Sequence, residues 1–234
     1  MPERQFLLLG IEGPLMSFGG VVVDELGPTR IFPTLSAITG MLGNALGWQH
    51  WDGLKLQRLQ SRLSLACRLD RSGRVLTDFQ TTSHDRDEAA WTTRGIPVSR
   101  KATNGPTIRN RQYLADAAFT VAVTLAPSEE DGQPTLIDLA AALERPARPL
   151  FFGRKGCFPA EPIGRGIVVG ETFRAVLLRD APFGLTRLWL PDGEPDAADG
   201  QPMTVADLRD WPCNVMAGSR VVRELLIEHR RDAG

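Results

Sequence analysis

The chain has 234 residues, 42% of them hydrophobic, with 27 basic and 28 acidic side chains and a net charge of −1. It is long enough to bury a substantial core, and too evenly charged for a protein that coats nucleic acid indiscriminately. No apolar run approaches the ~20 residues that span a bilayer, and the opening Met1-Pro2-Glu3-Arg4-Gln5-Phe6 carries no signal-peptide pattern, so no membrane partner and a cytoplasmic address are expected.

Residues 5–12 read as a buried strand, apolar from Phe6 through Leu9. Gly13-Pro14-Leu15-Met16-Ser17-Phe18-Gly19 then leads into a loop punctuated by glycine and proline. Past Gly27-Pro28-Thr29-Arg30-Ile31-Phe32-Pro33, Thr34 stands as N-cap of a helix whose Leu35, Ile38, Leu42 and Ala45 recur at helical spacing, and Gly47 supplies a left-handed stop. Gly40, Gly43 and Gly47 share one face of that helix, where an interior glycine costs about 1 kcal/mol relative to alanine. Close packing on the protein's own sheet and direct approach of a phosphate backbone both account for them. At the helix mouth, unsatisfied N–H groups, the hydroxyls of Thr34 and Ser36, and Arg30 just upstream form a candidate phosphate site. A capped surface helix with one neighbouring arginine would use the same residues.

Residues 54–63 predict a second short helix, and 63–69 alternate as a half-buried strand that ends at the turn Asp70-Arg71-Ser72-Gly73. Residues 75–111 depart from this rhythm. They hold few aliphatics, many Thr, Ser and Arg, and the breakers Gly95, Pro97, Gly105 and Pro106, so they read as an extended excursion. The core resumes in a strand at 118–125, Thr135 caps a helix through Leu143 with Asp138 completing a box-like start, and 166–178 form the next strand. This order predicts an α+β, ferredoxin-like βαββαβ domain over residues 1–178, the layout of RNA-recognition domains. A smaller β-rich portion over 179–234 has strands at 185–190 and 220–227 around an acidic Pro/Gly loop.

Charge is unevenly spread. No Asp or Glu occurs from Ala89 to Ala115, where Arg94, Arg100, Lys101, Arg109 and Arg111 accumulate, and Arg145, Arg148, Arg154, Lys155 and Arg165 face only Glu161 in a second basic stretch. Gly153-Arg154-Lys155-Gly156 has the backbone freedom and charge to cradle a phosphate. Cys67, Cys157 and Cys213 lie far apart without a nearby histidine, which predicts three buried thiols and neither a zinc site nor a disulfide framework.

The opening glycine-proline motif, the Pro-Thr-x-x-Phe-Pro-Thr-x-Ser run with its glycine-dotted helix, the stretch Arg111-Gln112-Tyr113-Leu114-Ala115-Asp116-Ala117-Ala118-Phe119-Thr120 and the segment Pro149-Leu150-Phe151-Phe152-Gly153-Arg154-Lys155-Gly156-Cys157-Phe158-Pro159 together resemble the CRISPR-associated CasD family of RAMP proteins. The match spans roughly residues 5–175, in the family's order. The resemblance implies an RNA-binding subunit that caps the 5′ handle of the guide RNA in type I-E Cascade, beside the repeated backbone subunit and the large PAM-recognising subunit. It makes the 75–111 excursion a protruding β-hairpin thumb, with Trp91 and Arg94 toward a partner subunit. It carries RNA contact to Met16, Ser17, Phe18, Arg30, Thr34, Ser36, Arg100, Lys101, Arg109, Arg111, Gly153, Arg154 and Lys155, and it implies no cofactor.

Metal-independent RNA cleavage needs a general acid and base converging on one phosphodiester. The histidines are His50, His84 and His229, and the single tyrosine, Tyr113, sits where the core resumes and reads as structural. His84 near Arg86 and Lys101 is the one candidate centre, and no metal cluster, nucleotide-binding loop or nucleophile triad is visible. The expectation is therefore a non-catalytic guide-RNA-binding subunit. The alternatives are a metal-independent endoribonuclease that processes CRISPR repeat RNA and a general RNA-binding ferredoxin-like module, the latter lacking an aromatic-rich RNP strand.

Overall fold

Phe6 and Leu7 are neighbours in sequence and both fully buried, because one strand carries them into two different cores. The computed structural model of the chain describes residues 3–20, 25–82, 90–91, 97–98, 107–128, 130 and 132–229. In chain order these form β1 (Arg4–Glu12), β2 (Leu15–Met16), β3 (Leu26–Gly27), α1 (Leu35–Ala45), α2 (Gly53–Arg62), β4 (Leu63–Thr82), β5 (Ala90–Trp91), β6 (Pro97–Val98), β7 (Thr107–Leu125), α3 (Leu136–Glu144), β8 (Gly164–Gly170), α4 (Phe173–Leu178), β9 (Gly184–Pro191), a 3-10 turn at Pro195–Ala197, β10 (Gln201–Asp210) and β11 (Val215–His229). Among the described residues no helix is long and apolar enough to cross a membrane.

One large sheet runs β10-β11-β9-β4-β7-β1-β8, with β2 and β3 added along β7. Its segment β4-β7-β1-β8 is antiparallel throughout, and α1 with α2 links β1 to β4 while α3 links β7 to β8. That is a βαββαβ unit in the ferredoxin-like strand order, within a mixed α/β fold. Leu7, Leu9 and Ile11 of β1 join Ile38 and Leu42 of α1 and Leu139 and Leu143 of α3 in the larger core. Phe6 faces the other way, onto Phe173, Val176 and Leu177 of α4, with its ring 5.0 Å from that of Phe173.

The expected caps form. Thr34 Oγ1 accepts from Ala37 N–H, and α1 ends with Trp48 N–H on Gly43 O at 2.9 Å and Gly47 N–H on Asn44 O at 3.1 Å, a Schellman closure for which Gly47 adopts φ +82. The capping box of Thr135 and Asp138 starts α3, and these hydrogen bonds hold the Asp138 carboxyl below its usual pKa.

Two expectations are corrected. Residues 166–178 are not one strand: β8 stops at Gly170, and Thr172 caps α4 by accepting from Ala175 N–H at 3.1 Å, so the apolar Phe173, Val176 and Leu177 follow helical rather than alternating spacing. The sequence Asp70-Arg71-Ser72-Gly73 is not a turn but a bulge inside β4, the register slipping by one residue between Leu69 and Arg71. Gly73 and Asp116 both take positive φ there, and Arg68 ties Asp70 to Thr120, so the polar residues are satisfied within the strand. Strand β10 was not foreseen. It pairs with β11, which pairs with β9, and β9 joins β4 through Cys67 opposite Trp189, so the C-terminal strands continue the same sheet.

Candidate nucleic-acid interface

Thr34 is buried, and its hydroxyl donates to Phe18 O at 2.8 Å while accepting the capping N–H. The helix mouth already holds an anion of the protein's own. Asp207 of β10, with no exposed surface, accepts from Leu35 N–H at 2.8 Å and from the Arg220 guanidinium at 3.0 Å. An unsatisfied helix N-terminus attracts a negative charge, and here a carboxylate supplies it. Thr34 thus serves as the structural cap of α1, while Ser36 is partly exposed. Arg30 donates its backbone N–H to Gly19 O at 3.0 Å, and its Nε is buried without a hydrogen-bond partner.

Met16 and Phe18 turn their side chains inward. Met16 is fully buried and Phe18 packs edge-on against Phe119 at 5.8 Å, so their side chains belong to the core. The Ser17 backbone packs against the 151–154 loop. Ser17 N–H donates to Phe152 O at 3.0 Å, and a Cβ on Gly153, at φ +81, would lie 1.7 Å from Ser17 O. Only glycine permits that approach. The same loop projects Arg154, which donates to Gln112 O at 3.0 Å and Gly27 O at 3.1 Å and lies 4.5 Å over the Tyr113 ring. Tyr113 is thus the bed of an arginine clamp, and exposed Lys155 stands beside it.

Some of these residues line a groove of about 710 Å³. Ser17 to Gly20 and the 151–154 loop make one side, Ser36, Gly40 and Asn44 of α1 the floor, and Arg209, Trp211 and Asn214 at the β10–β11 turn the other side. Of the residues expected to touch RNA, Ser17, Phe18, Ser36, Gly153 and Arg154 meet here. Trp211 and Arg209 were missed, because the hairpin that carries them was not foreseen. The glycine face of α1 is explained by packing: a Cβ on Gly40 would lie 3.1 Å from the Trp211 ring, and one on Gly43 2.4 Å from Leu56 of α2.

The 75–111 excursion begins and ends as a two-stranded ribbon, paired from Arg74 opposite Ala115 out to Thr82 opposite Thr107. Pairing places exposed Val75, Phe79 and Ile108 on one face and Arg74, Arg109 and Arg111 on the other. Arg94, Arg100, Lys101 and His84 lie outside the described residues, and of Trp91 only the backbone is described, pairing with Pro97.

His50 is exposed, its ring 4.7 Å from that of Trp51. Cys67 and Cys157 are buried as expected, and burial pushes the Cys67 thiol up to about 12. Cys213 is exposed, contrary to expectation, because it sits on the β10–β11 turn, where the charge of Asp210 raises its pKa. Among the described residues no three His, Cys, Asp or Glu gather as a metal site.

Comparison with known proteins matches residues 6–223 to the family model described as CRISPR-associated protein (Cas_Cas5). The chain is 30% identical over 190 residues to the CRISPR system Cascade subunit CasD of Escherichia coli (strain K12), covering 77% of this chain and 79% of that one. A chain of a solved CRISPR RNA-guided surveillance complex superposes with a TM-score of 0.72 at 24% identity, covering 96% of this chain and 90% of that chain. A solved crystal structure of a Cas protein does so at 0.59 and 23%, covering 95% of each. These two likenesses bear on the fold.

Proposed function

The chain belongs to the CRISPR-associated Cas5 family, and from that premise we propose that it is a guide-RNA-binding subunit of a Cascade-type interference complex, holding the RNA's 5′ handle without cutting it. The observation that carries this reading is the groove. Its described lining contains two arginines and no carboxylate in a chain of net charge −1, and backbone-lined walls at Ser17–Gly20 and Gly153 let a phosphodiester chain come close. Ser36 and Arg154 supply polar contacts from its lining, Lys155 follows Arg154 in the same loop, and Arg30, whose backbone N–H donates to Gly19 O and whose Nε is buried without a partner, adds a positive charge next to that segment.

The ribbon is the base of a thumb in this reading. The face that carries Arg74, Arg109 and Arg111 meets RNA, with Arg100 and Lys101 assigned to the same role from the sequence, and the face with exposed Val75 and Phe79 leans on the first backbone subunit, a contact to which Trp91 and Arg94 are also assigned. The large PAM-recognising subunit is the third neighbour, and the complex works in the cytoplasm. Base pairing then reads the target while protein holds handle and backbone.

Arg30 tests the charge assignment. Arg30→Ala should weaken binding of single-stranded repeat RNA uniformly across sequences and lower the slope of log affinity against log salt by about one. An unchanged slope assigns Arg30 to the fold alone.

A further inference from the structure

The geometry points to a base-stacking subsite at Trp211 and Arg209, which takes one unpaired base of the bound RNA. This rests on the RNA-binding reading above and adds to it a place where a single base is held. Trp211 is unusually well fixed for a residue on a hairpin turn. Its indole N–H donates to Gln60 Oε1 at 3.0 Å, its backbone N–H donates to Gln57 Oε1 at 3.1 Å, and its ring edge rests on Gly40. Gln60 is itself buried, and also exchanges hydrogen bonds with the Arg209 backbone at 2.9 and 3.2 Å, so the turn is pinned to α2.

Arg209 completes the platform. Its guanidinium lies 5.4 Å from the Trp211 ring centroid and is held by Asn214, whose carbonyl and side-chain oxygen both accept from it. Unpaired bases stack on aromatic rings and on arginine planes alike, so Arg209 held over the Trp211 ring offers a cationic and preorganised stacking surface. Arg154 lies on the far side of the groove, and its two recorded hydrogen bonds use two of five guanidinium donors. A nucleotide therefore has a seat for its base on the hairpin side and charge for its phosphate on the loop side. Neither arginine has a carboxylate among the groove's described lining to compete with the phosphate.

The test uses the full chain and a short single-stranded RNA with 2-aminopurine placed at each position in turn. Stacking should quench the probe at one position, and Trp211→Leu should abolish that quench and weaken binding about ten- to a hundred-fold, whereas Trp211→Phe keeps most of both. Annealing the RNA to its complement should remove the quench. Because Trp211 also packs on Gly40, a second variant, Ser36→Trp, narrows the groove from the partly exposed face of α1 and should weaken binding without touching the hairpin. Equal binding and equal quenching in wild type, Trp211→Leu and Ser36→Trp would overturn the subsite while leaving RNA binding in place. Failure of the wild-type chain to bind any of these RNAs would overturn the subsite and the RNA-binding reading together.

Discussion

Fully buried Asp207 pairs with largely buried Arg220, and its carboxylate also accepts the Leu35 N–H that opens α1, so one side chain of β10 joins the C-terminal hairpin to the N-terminal helix. Removing the carboxylate leaves the largely buried Arg220 charge unpaired and the first N–H of α1 without its acceptor. Asp207→Ala should therefore cost about 3–5 kcal/mol, measured by urea denaturation, and a loss below about 1 kcal/mol would mean that the pair does not anchor the helix. The thiols make a second prediction at this scale. With Cys67 and Cys157 buried and Cys213 exposed, a disulfide-exchange reagent at pH 8 should label one thiol rapidly, and the rapid phase should vanish in Cys213→Ser. Its rate should fall below that of a free thiol, since Asp210 keeps Cys213 protonated. Rapid labelling of Cys67, whose thiol pKa is pushed up to about 12 by burial, would contradict its full burial opposite Trp189.

At the scale of elements, the ribbon of β4 and β7 divides at its bulge. Inside it, Leu65 and Cys67 on β4 and Val121 and Val123 on β7 are core; beyond it, Val75, Phe79 and Ile108 are exposed. The outer part therefore contributes little to the body's stability. Replacing residues 83–106 by a short Gly/Ser turn between Thr82 and Thr107, which face each other in the register, should leave the free chain's melting temperature nearly unchanged. The same variant should fail to join stably beside the backbone subunit. Aggregation of the isolated variant would place that segment in the core, and normal assembly would remove the thumb assignment while sparing the groove.

Across the whole molecule, what the sequence made legible was local. Thr34, Gly47 and the Thr135–Asp138 box announce their helices because each cap acts within three or four residues of itself, and β1 and the inner part of β7 stand out as apolar runs because both are buried in the core. What escaped depended on distance in sequence or on weak pattern. Asp207 lies 172 residues from the helix it caps, so the mouth of α1 read as vacant. Strand β10 buries only Val205 and Asp207 outright, too few for an alternation to stand out, and with it went Arg209 and Trp211. Helix α4 is six residues long, a length at which apolar Phe173, Val176 and Leu177 read equally as strand. Of the site, the Ser17 and Gly153-Arg154 wall was visible as motif, whereas Met16 and Phe18 in that motif serve the core. The central claim is that this chain holds the repeat-derived 5′ end of a guide RNA and leaves it whole. Ribonuclease footprinting of a guide RNA bound to the chain in metal-free buffer, run beside an undigested lane, tests it most directly. The account predicts protection confined to the repeat-derived 5′ end and full-length RNA in the undigested lane; protection elsewhere, or a specific cut within the repeat, would contradict it.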